Sequence, residues 1–206
     1  LMPTQTFFNL PKEKQELLLK SARNEFTNTS FENASINQII KEAGISRGSF
    51  YMYFHDKEDL YFYLLEQSKQ FFEKELEYIV DETHGDLFLI FEKMFEKVIC
   101  YCSKKNHYLF FKQVFTNING RSEQRLFFVK ENTTNNRLKR DEFLKKIDKS
   151  NLNIEEMEDL EEIVGLLLGM TLHTLIHSFH KNLDKEELIA SYHRKLNLLR
   201  YGMEKK

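Results

Sequence analysis

The side chains best suited to recognising another molecule are concentrated in one short stretch, Arg47-Gly48-Ser49-Phe50-Tyr51-Met52-Tyr53-Phe54. A guanidinium can offer two donors to guanine O6 and N7, and a serine hydroxyl can bond a base edge or a phosphate. Arg47 and Ser49 supply those groups, and Gly48 between them lets the backbone approach a major groove closely. Elsewhere, His173, His177 and His180 stand at i, i+4 and i+7, and two histidines four apart on a helix can hold a metal. No carboxylate or cysteine ligand set accompanies them in the sequence, so they read as core or pocket-wall histidines; neither a metal site nor a cofactor is expected. Cys100 and Cys102 point to different faces of a helix, which predicts neither a disulfide nor a chelate and fits a reducing compartment. A glycine-rich phosphate loop, a nucleophile elbow, HExxH and paired-cysteine motifs are all missing, which argues against an enzyme.

Helices must position these groups. Both prolines precede residue 12, only seven glycines occur, and runs of Glu, Lys, Leu and Phe fill the rest, so an all-α fold is expected. Pro11 suits the start of a helix whose stripe is Leu18, Ala22 and Phe26, ending near Asn28. Ser35 and Gln38 form a capping-box pattern ahead of Ile36, Ile39, Ile40 and Ala43, and Gly44 supplies the stop. Ser46 can cap a short helix from Arg47 to about Phe54, with Phe50 and Phe54 turned inward and Met52 outward. Asp56 can cap a long fourth helix with Glu58 and Asp59 in its first turn. Two short helices joined by Ala43-Gly44-Ile45-Ser46 make a helix-turn-helix, a pattern that a purely structural corner also satisfies. Further helices are expected at 87–103, 108–118, 123–146, 154–181 and 185–203.

The chain has 206 residues, 41% hydrophobic and 30% charged, as a folded protein requires. Its net charge is −2, and the first 60 residues carry seven Lys or Arg against eight Asp or Glu. Attraction to a polyanion must therefore come from local placement, not from total charge. No signal-like N-terminal core is seen, and the longest apolar stretch, Ile163 to Met170, reads as too short to span a bilayer. A cytoplasmic protein with no membrane partner is expected.

From Ala34-Ser35 through Ala43-Gly44-Ile45-Ser46-Arg47-Gly48-Ser49-Phe50-Tyr51-Met52-Tyr53-Phe54 to Lys57-Glu58-Asp59-Leu60, the sequence closely resembles the signature of TetR-family transcriptional regulators. Phe50 stands where leucine is common in that family and Tyr53 where histidine is. The resemblance covers about Leu17 to Leu65. It implies an N-terminal three-helix helix-turn-helix DNA-binding domain, 1–56, and a larger C-terminal helical domain, 57–206, for ligand binding and dimerisation. It further implies that Tyr51, Tyr53 and Lys57 contact phosphates beside Arg47, Gly48, Ser49 and Met52 at the DNA surface, with partial burial the alternative for Tyr53. Ser35 and Asn37, opening the second helix, join them on the DNA backbone.

A heptad seam runs through Ile189, Tyr192, Leu196, Leu199 and Met203. Ahead of it Ile163, Leu167, Met170 and their neighbours make a helix apolar on nearly every side, which must be buried on two sides. These residues are the expected homodimer interface, in keeping with the four-helix bundle that the resemblance implies. The resemblance also suggests a cavity for a small apolar or amphipathic ligand, with Phe91, Phe95, Phe111, Phe115, His173 and His177 as its candidate lining; a close-packed aromatic core is the alternative reading of the phenylalanines. The implied activity is that of a ligand-released repressor binding a near-palindromic double-stranded operator as a dimer.

Overall fold

The computed structural model describes residues 3–103, 105–116, 134–181 and 184–202. Among them every regular element is a helix: α1 (Gln5–Phe8), α2 (Lys12–Asn28), α3 (Ile36–Ala43), α4 (Arg47–Tyr53), α5 (Lys57–Glu82), α6 (Leu87–Cys102), α7 (Lys105–Thr116), α8 (Thr134–Lys146), α9 (Met157–Lys181) and α10 (Lys185–Tyr201). The all-α expectation holds, and most helix ends fall within a few residues of the sequence reading. The four residues of α1 are too few to show a periodicity and were not anticipated. Residues 123–133 of one expected helix lie outside the described residues.

The chain forms two compact units. The first comprises Leu1–Phe71 with Ser103–Asn117, and the second Phe72–Cys102 with Ile118–Lys206. The expected division at residue 57 differs from this, because the start of α5 shares the first unit's core. Leu60, Tyr61, Leu64 and Leu65 of α5 are buried with Leu18, Leu19, Ala22 and Phe26 of α2 and with Phe110, Phe111 and Val114 of α7. Tyr61 meets Phe26 edge-on at 5.0 Å and Phe110 at 6.1 Å, and burial pushes its phenol up to about 12. Each fully buried Leu or Phe contributes about 1.5–3 kcal/mol, so α7 completes this unit although it is distant in sequence.

In the second unit α6 packs on α10. The Phe95 and Tyr192 rings stack 3.7 Å apart at 10°, flanked by buried Leu87, Ile90, Ile99, Leu188 and Leu196. Gly85, at φ 80°, makes the turn between α5 and α6, and its carbonyl accepts from Asp148 N at 3.0 Å. A Cβ there would collide with the Lys146 carbonyl and lie 2.7 Å from Asp148 N, so only glycine fits. Arg200 closes the same corner on Asp86 at 2.8 Å. Cys100 is exposed and Cys102 buried, both free, as their spacing required; burial pushes the Cys102 thiol up to about 12.

The expectation that no stretch could span a bilayer is corrected by α9. Residues Met157–Phe179 are long and apolar enough to do so by length and composition, with a mean hydropathy of 1.3. Counting the uninterrupted apolar run understated this helix, because its hydroxyls turn back onto its own backbone. Thr171 donates to Leu167 O at 2.6 Å, Thr174 to Met170 O at 2.8 Å and Ser178 to Leu175 O at 2.7 Å. One stripe of α9, comprising Leu160, Leu167, Leu175 and Phe179, is nevertheless buried.

Candidate nucleic-acid interface

The helix-turn-helix rests on α2 and is closed by its own caps. Gly44, at φ 65°, takes the left-handed conformation; its N–H reaches Lys41 O, and the Ile45 N–H reaches Ile40 O at 3.0 Å. Ser46 then caps α4, its hydroxyl accepting from Ser49 N at 3.0 Å. At the far end of α4, Thr4 donates its N–H to Tyr53 O at 3.0 Å and its hydroxyl to Met52 O at 2.5 Å. Phe7, fully buried, seats that end against Phe54 at 5.0 Å. The segment before Pro11 therefore fastens α4, a role that sequence reasoning missed because a lone Thr and Phe carry no spacing signal.

With Phe50 and Phe54 fully buried, α4 turns its other face outward. Tyr51 and Met52 are 45% and 55% exposed, and Arg47 and Gly48 are exposed beside them. A Cβ on Gly48 would meet nothing closer than Ser46 Oγ at 3.8 Å, so the outer surface here is open. Arg47 donates to Asn37 Oδ1 at 2.7 Å and to Tyr51 Oη at 3.2 Å, its guanidinium 5.5 Å from the Tyr51 ring centre. One guanidinium thus joins the start of α3 to the middle of α4. Asn37, Arg47, Ser49 and Tyr51 are brought together on a polar surface with Met52 beside it. Such a cluster can donate to phosphates and base edges at once.

Three of the residues expected at the DNA have partners within the chain. Tyr53 is only 8% exposed, its ring 6.4 Å from Phe7, because it follows Phe50 by three residues and shares the inner face. Lys57 donates to the carbonyls of Glu32 at 2.9 Å and Ala34 at 3.0 Å and lies 4.9 Å from the Phe31 ring centre. Its ammonium satisfies the loop before α3. Ser35 precedes α3 as expected but makes no side-chain cap, and the capping box with Gln38 does not form. The Ser35 N–H that Gln38 would have taken is held by Glu25 Oε1 at 2.8 Å.

The cap of α5 does form: Asp56 Oδ1 accepts from Asp59 N at 2.8 Å, and that N–H, ahead of the neighbouring His55, holds the Asp56 carboxyl below its usual range. Asp59 Oδ2 accepts from His55 N at 3.1 Å, which completes a reciprocal turn from α4 into α5.

The residues named for a ligand pocket are divided between the units. Phe91 and Phe95 are buried in the second and Phe111 in the first, while the side chain of Phe115 lies outside the described residues. His173 and His177 are exposed on α9, their rings parallel to within 19° and 6.0 Å apart; the side chain of His180 is not among those described. A cavity of about 40 Å³ beside Asp86, Asp148 and Arg200 has room for a water or two, and none of the named residues lines it.

The interface residues also separate. Leu167, Tyr192 and Leu196 are buried within the chain, so the heptad seam packs inward on α6. Ile163, Met170 and Ile189 are half-buried, and Leu199 is exposed with Leu166, Leu168, Leu198 and Tyr201. Met203 lies outside the described residues.

Comparison with known proteins agrees with this geometry. Residues 18–64 match the family model described as bacterial regulatory proteins, tetR family, and residues 86–203, more than half the chain, match the tetracyclin repressor-like C-terminal domain. HTH-type transcriptional regulators of Staphylococcus aureus are 35% identical over 74 residues (strain bovine RF122 / ET3-1) and 33% over 75 (strain USA300). Each match takes in 36% of this chain and 40% of the relative's own length. Among solved structures, a TetR family regulator from Chloroflexus aurantiacus is 19% identical with a TM-score of 0.55, covering 100% of both chains. The regulator FadR from Bacillus subtilis, solved in complex with stearoyl-CoA, is 17% identical with a TM-score of 0.64, covering 92% of this chain and 99% of its own. At those identities the likeness speaks for the fold, whereas the C-terminal family model alone spans more than half of the sequence. The chain belongs to the TetR family of transcriptional regulators, proteins that control transcription and are not enzymes.

Proposed function

We propose that the protein is a ligand-released repressor that binds a near-palindromic operator as a homodimer in the cytoplasm. The observation that carries this reading is α4 itself: two fully buried phenylalanines fix one face, and Arg47, Ser49, Tyr51 and Met52 form the other. A single short helix reads only a few base pairs, so specificity requires two copies, spaced about 34–36 Å apart on successive major grooves. The outer faces of α9 and α10 supply the means. Leu166 is 66% exposed, and Leu168, Leu198 and Leu199 of the same two helices are exposed as well. A second copy of the chain would cover that surface. The buried stripe of α9 favours a protein partner over lipid, because one side of the helix is already buried within the chain.

The effector is a small apolar or amphipathic molecule held in the C-terminal domain, 57–206. The stearoyl-CoA bound by Bacillus subtilis FadR supports an amphipathic guest. Its effect would travel along α5, which runs unbroken from Lys57 beside the helix-turn-helix to Glu82 in the second unit. If the guest favours a spacing of the α4 helices that the operator does not, it weakens DNA binding, and DNA weakens the guest by the same factor. Titration of a fluorescent duplex from the gene's own upstream region tests the reading. Salt-sensitive binding of two chains per site is expected; a folded protein that binds no duplex from that region any better than unrelated DNA would overturn it.

A further inference from the structure

We propose that Glu92, Glu96 and His193 form a binding site for a divalent transition-metal ion, lying wholly in the second unit and independent of DNA binding. Glu92 and Glu96 are one turn apart on α6 and share a face, and His193 reaches them from α10. His193 Nε2 lies 3.2 Å from Glu96 Oε1 and 3.7 Å from Glu92 Oε1. One donor atom from each of the three residues falls within 4.8 Å of the other two. Donor atoms held about 2.1 Å from one ion stand about 3.0 Å apart at a right angle and about 3.4 Å apart at a tetrahedral angle. The two separations from His193 Nε2, 3.2 Å and 3.7 Å, lie within a few tenths of an ångström of those values.

The ring nitrogen is also aimed at the carboxylates. His193 Nε2 is itself shielded from water, on a side chain 30% exposed, and faces Glu92 and Glu96 without a hydrogen bond of good geometry. A neutral imidazole there can offer its lone pair to an ion at the centre of the three residues. The site is also held in place. Phe95 and Tyr192, whose rings stack at 3.7 Å, are the immediate chain neighbours of Glu96 and His193. That contact fixes the spacing of α6 and α10 before any ion arrives. One imidazole and two carboxylates leave coordination positions for water and suit Zn2+ or Mn2+. The sequence directs attention instead to His173 and His177, which have the helical spacing for a metal pair. The triad here joins residues about a hundred positions apart, which no local spacing reveals.

Calorimetric titration of the chelator-treated full chain with ZnCl2, alongside thermal unfolding, tests the site. One Zn2+ per chain is expected, with a rise in Tm. His193→Gln should weaken binding at least about ten-fold, the lower end of what even an outer-shell change costs a metal site. A His173→Ala, His177→Ala double variant should bind as tightly as the parent. Should His193→Gln fail to fold by circular dichroism, Glu96→Gln is read in its place with the same expectation. No saturable binding would leave the three groups as an ion-pair cluster and overturn the proposal. Unchanged affinity in the His193 variant, or loss in the double variant, would overturn it equally.

Discussion

Lys57 Nζ lies 3.0 Å from the Ala34 carbonyl oxygen and 2.9 Å from that of Glu32, with the Phe31 ring centre 4.9 Å away. The first residue of α5 thus braces the loop that enters α3, and the two elements cannot separate without stripping two carbonyls of a charged donor. Lys57→Ala should therefore cost about 0.5–1.5 kcal/mol of stability, the net range for hydrogen bonds whose acceptors water can reach. Urea unfolding checks this. A variant as stable as the parent, defective only in DNA affinity, would return Lys57 to the role of a simple phosphate contact.

The proposed dimer rests on the outward leucines of α9 and α10. Leu166→Glu places a charge where an interface would exclude water, on a side chain that the single chain leaves 66% exposed. Light scattering after size exclusion should report a monomer, with helical circular dichroism unchanged. A variant that remains dimeric at micromolar concentration would move the interface elsewhere.

Tyr192 gives a test at alkaline pH. Burial pushes its phenol from the ordinary 10.0 up to about 12, against the opposing effect of its 2.7 Å hydrogen bond with Thr171. Unfolded chains release this proton near pH 10 and folded ones near pH 12, so its contribution to stability is intact below pH 10 and is lost between the two. Tyr61 is pushed up to about 12 in the first unit and acts in the same direction. Urea unfolding from pH 8 to 11.5 should show stability falling above pH 10, with a shallower fall in Tyr192→Phe. An identical fall in that variant would mean that Tyr192 does not ionise on unfolding.

Local patterns in the sequence made the helix-turn-helix legible. Gly44 stops α3, Ser46 caps α4, Asp56 caps α5, and the four-residue step from Phe50 to Phe54 orients the recognition face, each within a few positions. What escaped depends on distant partners. Gln38 lost the Ser35 N–H to a carboxylate ten residues upstream, and Lys57 found its carbonyls more than twenty residues away. In the heptad from Ile189 to Met203, Tyr192 and Leu196 are buried and Leu199 is exposed, and periodicity does not say whether α6 or a second subunit fills such a seam. Phe95 fills it at Tyr192. The Glu92, Glu96 and His193 cluster was hidden for the same reason, since only the packing of α6 on α10 brings it together.

The central claim, that the outer face of α4 reads DNA, is tested most directly by comparing the parent protein with Arg47→Ala on one duplex from the upstream region. Arg47 is exposed and its two hydrogen bonds go to exposed partners, Asn37 and Tyr51, so its removal should leave the fold intact. Fluorescence anisotropy at two salt concentrations should show an affinity loss of at least about ten-fold, equivalent to about 1.4 kcal/mol and within the range of one bidentate base contact. The variant's Tm should stay within about 2 °C of the parent, as expected of a surface substitution. Equal affinity of parent and variant for that duplex at both salt concentrations would contradict the claim.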